Sequence, residues 1–135
     1  MVVRQPLLLV DADPVTAAAS EALLMQNGYD VAREARGDVV LQLVRTLYMR
    51  LVVTELRVPC VAGPCVATVL AGMRSRFPRL RIVILTRRRT AADRAWAIAA
   101  GADAIVDDLS PAPPLLHALA RFGEPRRHLS PRAHT

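Results

Sequence analysis

Five short aliphatic runs, each followed by a longer segment with apolar residues at three- and four-residue steps, set the tightest limit on how this chain folds. The runs are 7–10 (LLLV), a weaker 29–35 (YDVAREA), 50–56 (RLVVTEL), 81–86 (RIVILT) and 102–108 (ADAIVDD). Runs this short and this apolar fit strands buried on both faces, whereas three- and four-residue spacing gathers apolar side chains on one side of a helix. The segments 14–28, 37–47, 63–77, 90–101 and 113–122 have the helical spacing. Strict alternation specifies a parallel sheet with helices on both faces, and right-handed crossovers leave few ways to wind it. The expected fold class is α/β, a doubly wound five-stranded parallel sheet with five helices.

Boundary residues agree with this pattern. Asp13 before Pro14 makes an N-cap followed by proline at the first helical position, Gly28 and Gly101 stand where helices should stop, and Thr90 with Asp93 resembles a capping pair. At 135 residues the chain fits one domain, expected over 1–122, with 123–135 (GEPRRHLSPRAHT) as a flexible tail or the start of an interdomain linker. Two Phe, two Tyr and one Trp leave the core to Val, Leu, Ile and Ala, and provide no platform for stacking oligonucleotide bases. All 18 basic residues are arginine, and part of the +6 net charge lies in the tail, where Arg126, Arg127 and Arg132 face only Glu124. Cys60 and Cys65 are too few for a disulfide scaffold or a closed zinc site and read as reduced thiols. Arg4 precedes only the short LLLV run before Asp11, so neither a signal sequence nor a membrane span is expected, and the expected location is cytoplasmic.

Open α/β sheets place their sites outside the carboxyl ends of the strands. Those ends deliver Asp11, Ala12 and Asp13 from the first strand and Glu55 from the third. The fourth delivers Thr86 with Arg87, Arg88 and Arg89, and the fifth Asp107 and Asp108. At these residues the chain resembles the receiver domains of two-component response regulators, especially those that precede winged-helix DNA-binding domains. The likeness runs over about residues 7–122: LLLVDADP is similar to the family's first strand and acidic turn, LVVTELRVP to its phosphoacceptor strand and following proline, IVILT to its hydroxyl-bearing strand, and DRAWAIAAGADAIV to its fourth helix and fifth strand. The resemblance implies a flavodoxin-like receiver fold, and with no serine in a nucleophile-elbow context and no glycine-rich phosphate loop, an enzyme is not expected. It also implies a site in which two acids and a strand-borne aspartate hold Mg2+, while a hydroxyl and a lysine grip the transferred phosphoryl group.

Against that pattern the chain keeps Asp11 as the first acid and Thr86 as the hydroxyl. Ala12 stands for the second acid, Glu55 for the phosphoacceptor and Asp108 for the lysine, and the chain contains no lysine. Asp13 is either the cap of the first helix or a second acid shifted by one residue. Glutamate moves the carboxylate outward by about 1.5 Å, a misplacement of the size that costs about 100-fold in reactivity. Asp108 puts an anion where a cation should bind phosphate, and the Arg87 guanidinium can reach Asp11, Glu55 or Asp108 as a permanent counter-charge. The expectation is a degenerate pocket with weak or lost Mg2+ binding, in an atypical receiver that acts through protein contacts without phosphorylation. The alternatives are a conventional phosphoacceptor of weak activity, or a pocket that senses a small anionic ligand. The resemblance also implies a partner or homodimer contact through the fourth helix, fifth strand and fifth helix. Arg94 and Trp96 are candidate anchors there, and Ile105 stands at the family's aromatic switch position. His117 reads as a surface or boundary residue, and any DNA contact would come from a domain outside this chain.

Overall fold

The structure is a computed structural model that describes residues 4–55, 72–85, 91–99, 101–106 and 112–122, apart from the side chains of Asp38, Asp93, Trp96, Ala112 and Pro113. Five strands form one sheet: β1 (Gln5–Val10), β2 (Tyr29–Glu34), β3 (Leu51–Glu55), β4 (Arg81–Leu85) and β5 (Ala104–Val106). Their order is β2-β1-β3-β4-β5, and every neighbouring pair is parallel. Among the described residues the helices are α1 (Pro14–Gln26), α2 (Val40–Thr46), α3 (residues 72–76), α4 (Ala91–Ala99) and α5 (Ala112–Ala120), with a 3-10 turn at Gly37–Val39 ahead of α2. The α/β alternation expected from the sequence is the architecture observed.

Side-chain alternation along the strands divides the core in two. Leu8, Val10, Val52, Ile82 and Ile84 point to one face, where they meet Val40 and Val44 of α2, Met73 of α3 and Ala97 of α4. Leu7, Leu9, Leu51, Val53, Val83 and Leu85 point to the other, against Leu24 of α1 and Leu115, Ala118 and Leu119 of α5. Both faces of β1, β3 and β4 are therefore covered, which is why their sequences are continuously apolar. β2 is an edge strand with one buried residue, Tyr29, and its sequence pattern is correspondingly weak.

Helix ends follow the local chemistry. The Asp13 carboxylate accepts from the Val15 N–H at 2.9 Å, with Pro14 at the first helical position. Gly101, at φ +99°, closes α4: its N–H donates to the Ile98 carbonyl at 3.0 Å and the Ala102 N–H to the Ala97 carbonyl at 3.2 Å. That pair of bonds is a Schellman motif, and it requires a left-handed residue that only glycine adopts without penalty. Ala102 and Asp103 thus belong to the turn, and β5 begins at Ala104 and not at 102. Thr90, both cysteines and the tail from residue 123 lie outside the described residues.

Candidate functional site

Sheet order places β1 and β3 side by side at the centre with their chains leaving in opposite directions, the point where a crevice opens at the carboxyl ends. Val10 pairs with Glu34 on β2 and Thr54 on β3, and Glu55 pairs with Leu85 on β4. Asp11 and Glu55 each stand one residue beyond the Val10–Thr54 pair, so adjacent central strands bring the two acids to the same edge. The Asp11 N–H donates to the Glu34 carbonyl at 3.0 Å, extending the β1–β2 ladder by one rung.

Asp11 is 4% exposed. One of its carboxylate oxygens, Oδ1, accepts from the Asp13 N–H at 3.0 Å, and the other, Oδ2, accepts from the Thr16 hydroxyl at 2.7 Å. Ala12, between the two acids, is exposed and offers a methyl group. Glu55 is half-buried at the tip of β3, after four buried residues. Thr86, Arg87 and Asp108 lie outside the described residues.

Two contributors have no counterpart in the sequence reading. Thr16 stands in the first turn of α1, five residues after Asp11, where a hydroxyl can reach back to an acid that precedes the helix; that spacing is a usable signal. Glu34 ends β2 beside Val10, and its Oε2 accepts from the Ala35 and Arg36 N–H groups, both at 3.0 Å. It fixes the turn that follows and adds a further acid to this edge of the sheet.

A second feature lies at the outer edge of β5. A cleft of about 440 Å3 between α4, β5 and α5 is lined by Arg94, Ile98, Ile105, Pro114, His117 and Arg121, among others. Arg94 and Ile105 thus share one concave surface, and Ile98 beside them is 60% exposed. His117 is on the surface. Trp96 is in α4, with its side chain outside the description. β5 pairs with β4 alone among the described strands, so its other edge presents backbone donors and acceptors to this cleft. Among the described residues, no helix is long and apolar enough to cross a membrane.

The same architecture occurs in solved receiver domains. A CheY-like receiver domain protein from Methanospirillum hungatei JF-1 superposes with a TM-score of 0.77 at 18% identity, over 88% of this chain and 93% of that one. The receiver domain of an HD domain-containing protein from Pseudomonas fluorescens Pf-5 gives 0.76 at 24% identity, over 87% and 93%. RcsB from Salmonella enterica serovar Typhimurium, solved bound to the rprA promoter with a phosphomimetic, gives 0.76 at 21% identity, over 95% of this chain and 70% of that one. Comparison with curated proteins gives no match. The family described as the response regulator receiver domain matches residues 7–119, most of the sequence and every strand of the sheet but the first two residues of β1. The chain belongs to the response regulator receiver domain family.

Proposed function

We propose that this receiver domain signals through protein contacts without accepting a phosphoryl group. The observation that carries the proposal is the state of the acids after β1. Both oxygens of Asp11 accept hydrogen bonds from Asp13 and Thr16, and the Asp13 carboxylate caps α1. Hydrogen bonds to a charged group are each worth about 1.5–3 kcal/mol, so a metal ion drawing on Asp11 would compete with the anchoring of the β1–α1 turn. Ala12 contributes no side-chain oxygen, and no group of three or more His, Cys, Asp or Glu among the described residues is placed to hold a metal ion. The donor set on this edge is a poor fit to the Mg2+ that phosphoryl transfer uses. Glu55 for aspartate and Asp108 for lysine point the same way.

The test is intact-mass analysis after incubation with acetyl phosphate and Mg2+, beside a conventional receiver as positive control. The expected spectrum is unmodified. An acid-labile adduct of about 80 Da on Glu55 or Asp108 would overturn the proposal.

The contact surface we assign to signalling is the α4–β5–α5 face, where Arg94, Ile98 and Ile105 border one cleft. RcsB, similar in fold, is also solved as two dimers bound to two parallel DNAs. A homodimer through this face, with Trp96 as an anchor, accounts for an exposed Ile98 beside an open strand edge. Loss of association in Trp96→Ala by analytical ultracentrifugation is the outcome this assignment requires.

A further inference from the structure

Between Asp38 and Asp93 the sequence contains one acid, Glu55, and ten arginines. The fold gathers Arg45, Arg50, Arg74, Arg76, Arg79 and Arg81 at the amino-terminal edge of β3 and β4, opposite the edge that holds Glu55. Asp103 engages Arg74 and Arg81. Arg45, Arg50, Arg76 and Arg79 are exposed and make no side-chain ion pair or hydrogen bond among the described residues. A guanidinium near the end of a helix is favoured by the helix dipole, which accounts for Arg45 in the last turn of α2. It does not account for the cleft beside it.

Arg45 from α2 and Arg76 from α3 flank a cleft of about 450 Å3, lined otherwise by Leu41, Gln42 and Phe77. Leu41 and Phe77 are partly buried residues packed on the core, so they form an apolar floor. Gly72 keeps the two helices close there: a Cβ on it would lie 3.1 Å from Leu41 Cδ1. The cleft therefore combines two unneutralised cations with an apolar base, and the ligand that matches both is an anion bearing an apolar group. A nucleic-acid backbone would engage the arginines and leave Leu41 and Phe77 unused. A membrane surface calls for protruding apolar side chains, and these line a concavity.

We propose that the α2–α3 cleft docks an acidic segment of a partner protein, with carboxylates on Arg45 and Arg76 and an apolar side chain on Leu41 and Phe77. The site lies at the opposite edge of the sheet from Asp11 and Glu55 and stands or falls independently of the phosphoryl chemistry there.

The probe is a short fluorescein-labelled peptide of Glu and Leu, followed by anisotropy against the whole chain. Its Gln/Leu counterpart, a DNA duplex and phosphatidylserine vesicles are the comparisons. The Glu/Leu peptide is expected to bind, more weakly as salt rises, and the Gln/Leu peptide to lose binding. The double variant Arg45→Gln/Arg76→Gln should weaken binding by about tenfold or more, while Arg33→Gln/Arg36→Gln, with the same loss of charge, should change it by less than about twofold. All four arginines are exposed, and circular dichroism checks that each variant stays folded. Failure of the wild-type chain to bind the Glu/Leu peptide overturns the proposal, as does equal binding by Arg45→Gln/Arg76→Gln. So does binding of DNA or vesicles that depends on these two arginines when the peptide does not bind.

Discussion

Removing Asp103 should weaken the domain strongly for a small change in volume. Its Oδ2 accepts from the Ile82 N–H at 2.8 Å and from Arg74, and its own N–H donates to the Ile82 carbonyl at 2.8 Å. Arg74 in turn donates to the Leu80 and Gly101 carbonyls, both at 2.9 Å. One carboxylate therefore joins α3, the start of β4 and the turn into β5. In Asp103→Ala the Ile82 N–H, on a fully buried residue, loses its acceptor, at a cost of about 1–3 kcal/mol. Arg74 keeps its two carbonyls, and the ion pair is partly solvated at 30% and 19% side-chain exposure, so its loss adds only about 1 kcal/mol. The Arg81 contact, 3.6 Å long with that arginine 54% exposed, adds little. The sum is about 2–4 kcal/mol, equivalent to a fall in Tm of roughly 10 °C for a domain of this size. Urea unfolding followed by circular dichroism would measure it, with an unchanged m-value showing that the native state is intact. Asp103→Asn retains an acceptor for Ile82 and should recover more than half of the loss. A double-mutant cycle with Arg74→Ala isolates the ion pair. If Asp103→Ala lay within about 0.5 kcal/mol of wild type, or Asp103→Asn were as damaging as Asp103→Ala, the reasoning would be refuted.

Four further outcomes follow from geometry already described. Asp13→Ala should lower stability by about 1 kcal/mol by uncapping α1, and Asp13→Ser should restore most of it in the same thermal melt. Thr16→Val removes the donor to a buried carboxylate and should cost about 1–3 kcal/mol in urea unfolding. Gly101→Ala forces a Cβ into the left-handed region, and a melt should show a loss of about 1–2 kcal/mol. Ile98→Asp places a charge on the α4–β5–α5 face and should weaken self-association by about tenfold or more in sedimentation velocity, with the melting temperature little changed because the residue is exposed.

The fold was legible because its three central strands are buried on both faces and carry no polar interruption from Leu7 to Val10, Leu51 to Val53 or Ile82 to Leu85. Boundaries were less so where a strand end lacks apolar residues. β1 begins at Gln5, two residues before its apolar run, because Gln5 and Pro6 pair only with Tyr29 and Asp30 of β2; pairing with β3 begins at Leu8. That one-sided position is also what lets proline occupy a strand of a central pair. Segment 37–47, expected as one helix, opens with the 3-10 turn at Gly37–Val39 before α2. For the site, the clustering of acids at strand ends follows from α/β topology, so Asp11, Asp13 and Glu55 could be placed in advance. The partners of Asp11 were less legible: Glu34 reaches it through a backbone carbonyl that any residue would supply, and only the five-residue spacing to Thr16 signals the other. Asp103 was read within an apolar strand, since nothing in the sequence couples it to Arg74, 29 positions earlier.

The Asp103 knot sits at the start of β4, and the acidic crevice at its far end, beyond Leu85. With a rise of about 3.3 Å per residue, the two are separated by roughly 10 Å, enough for changes at one to add independently to changes at the other. The domain is thus anchored at one end of its sheet and open to revision at the other. An engineer altering the acids at the open end, beginning with Ala12→Asp and Glu55→Asp, would be changing fittings on a chassis bolted down elsewhere.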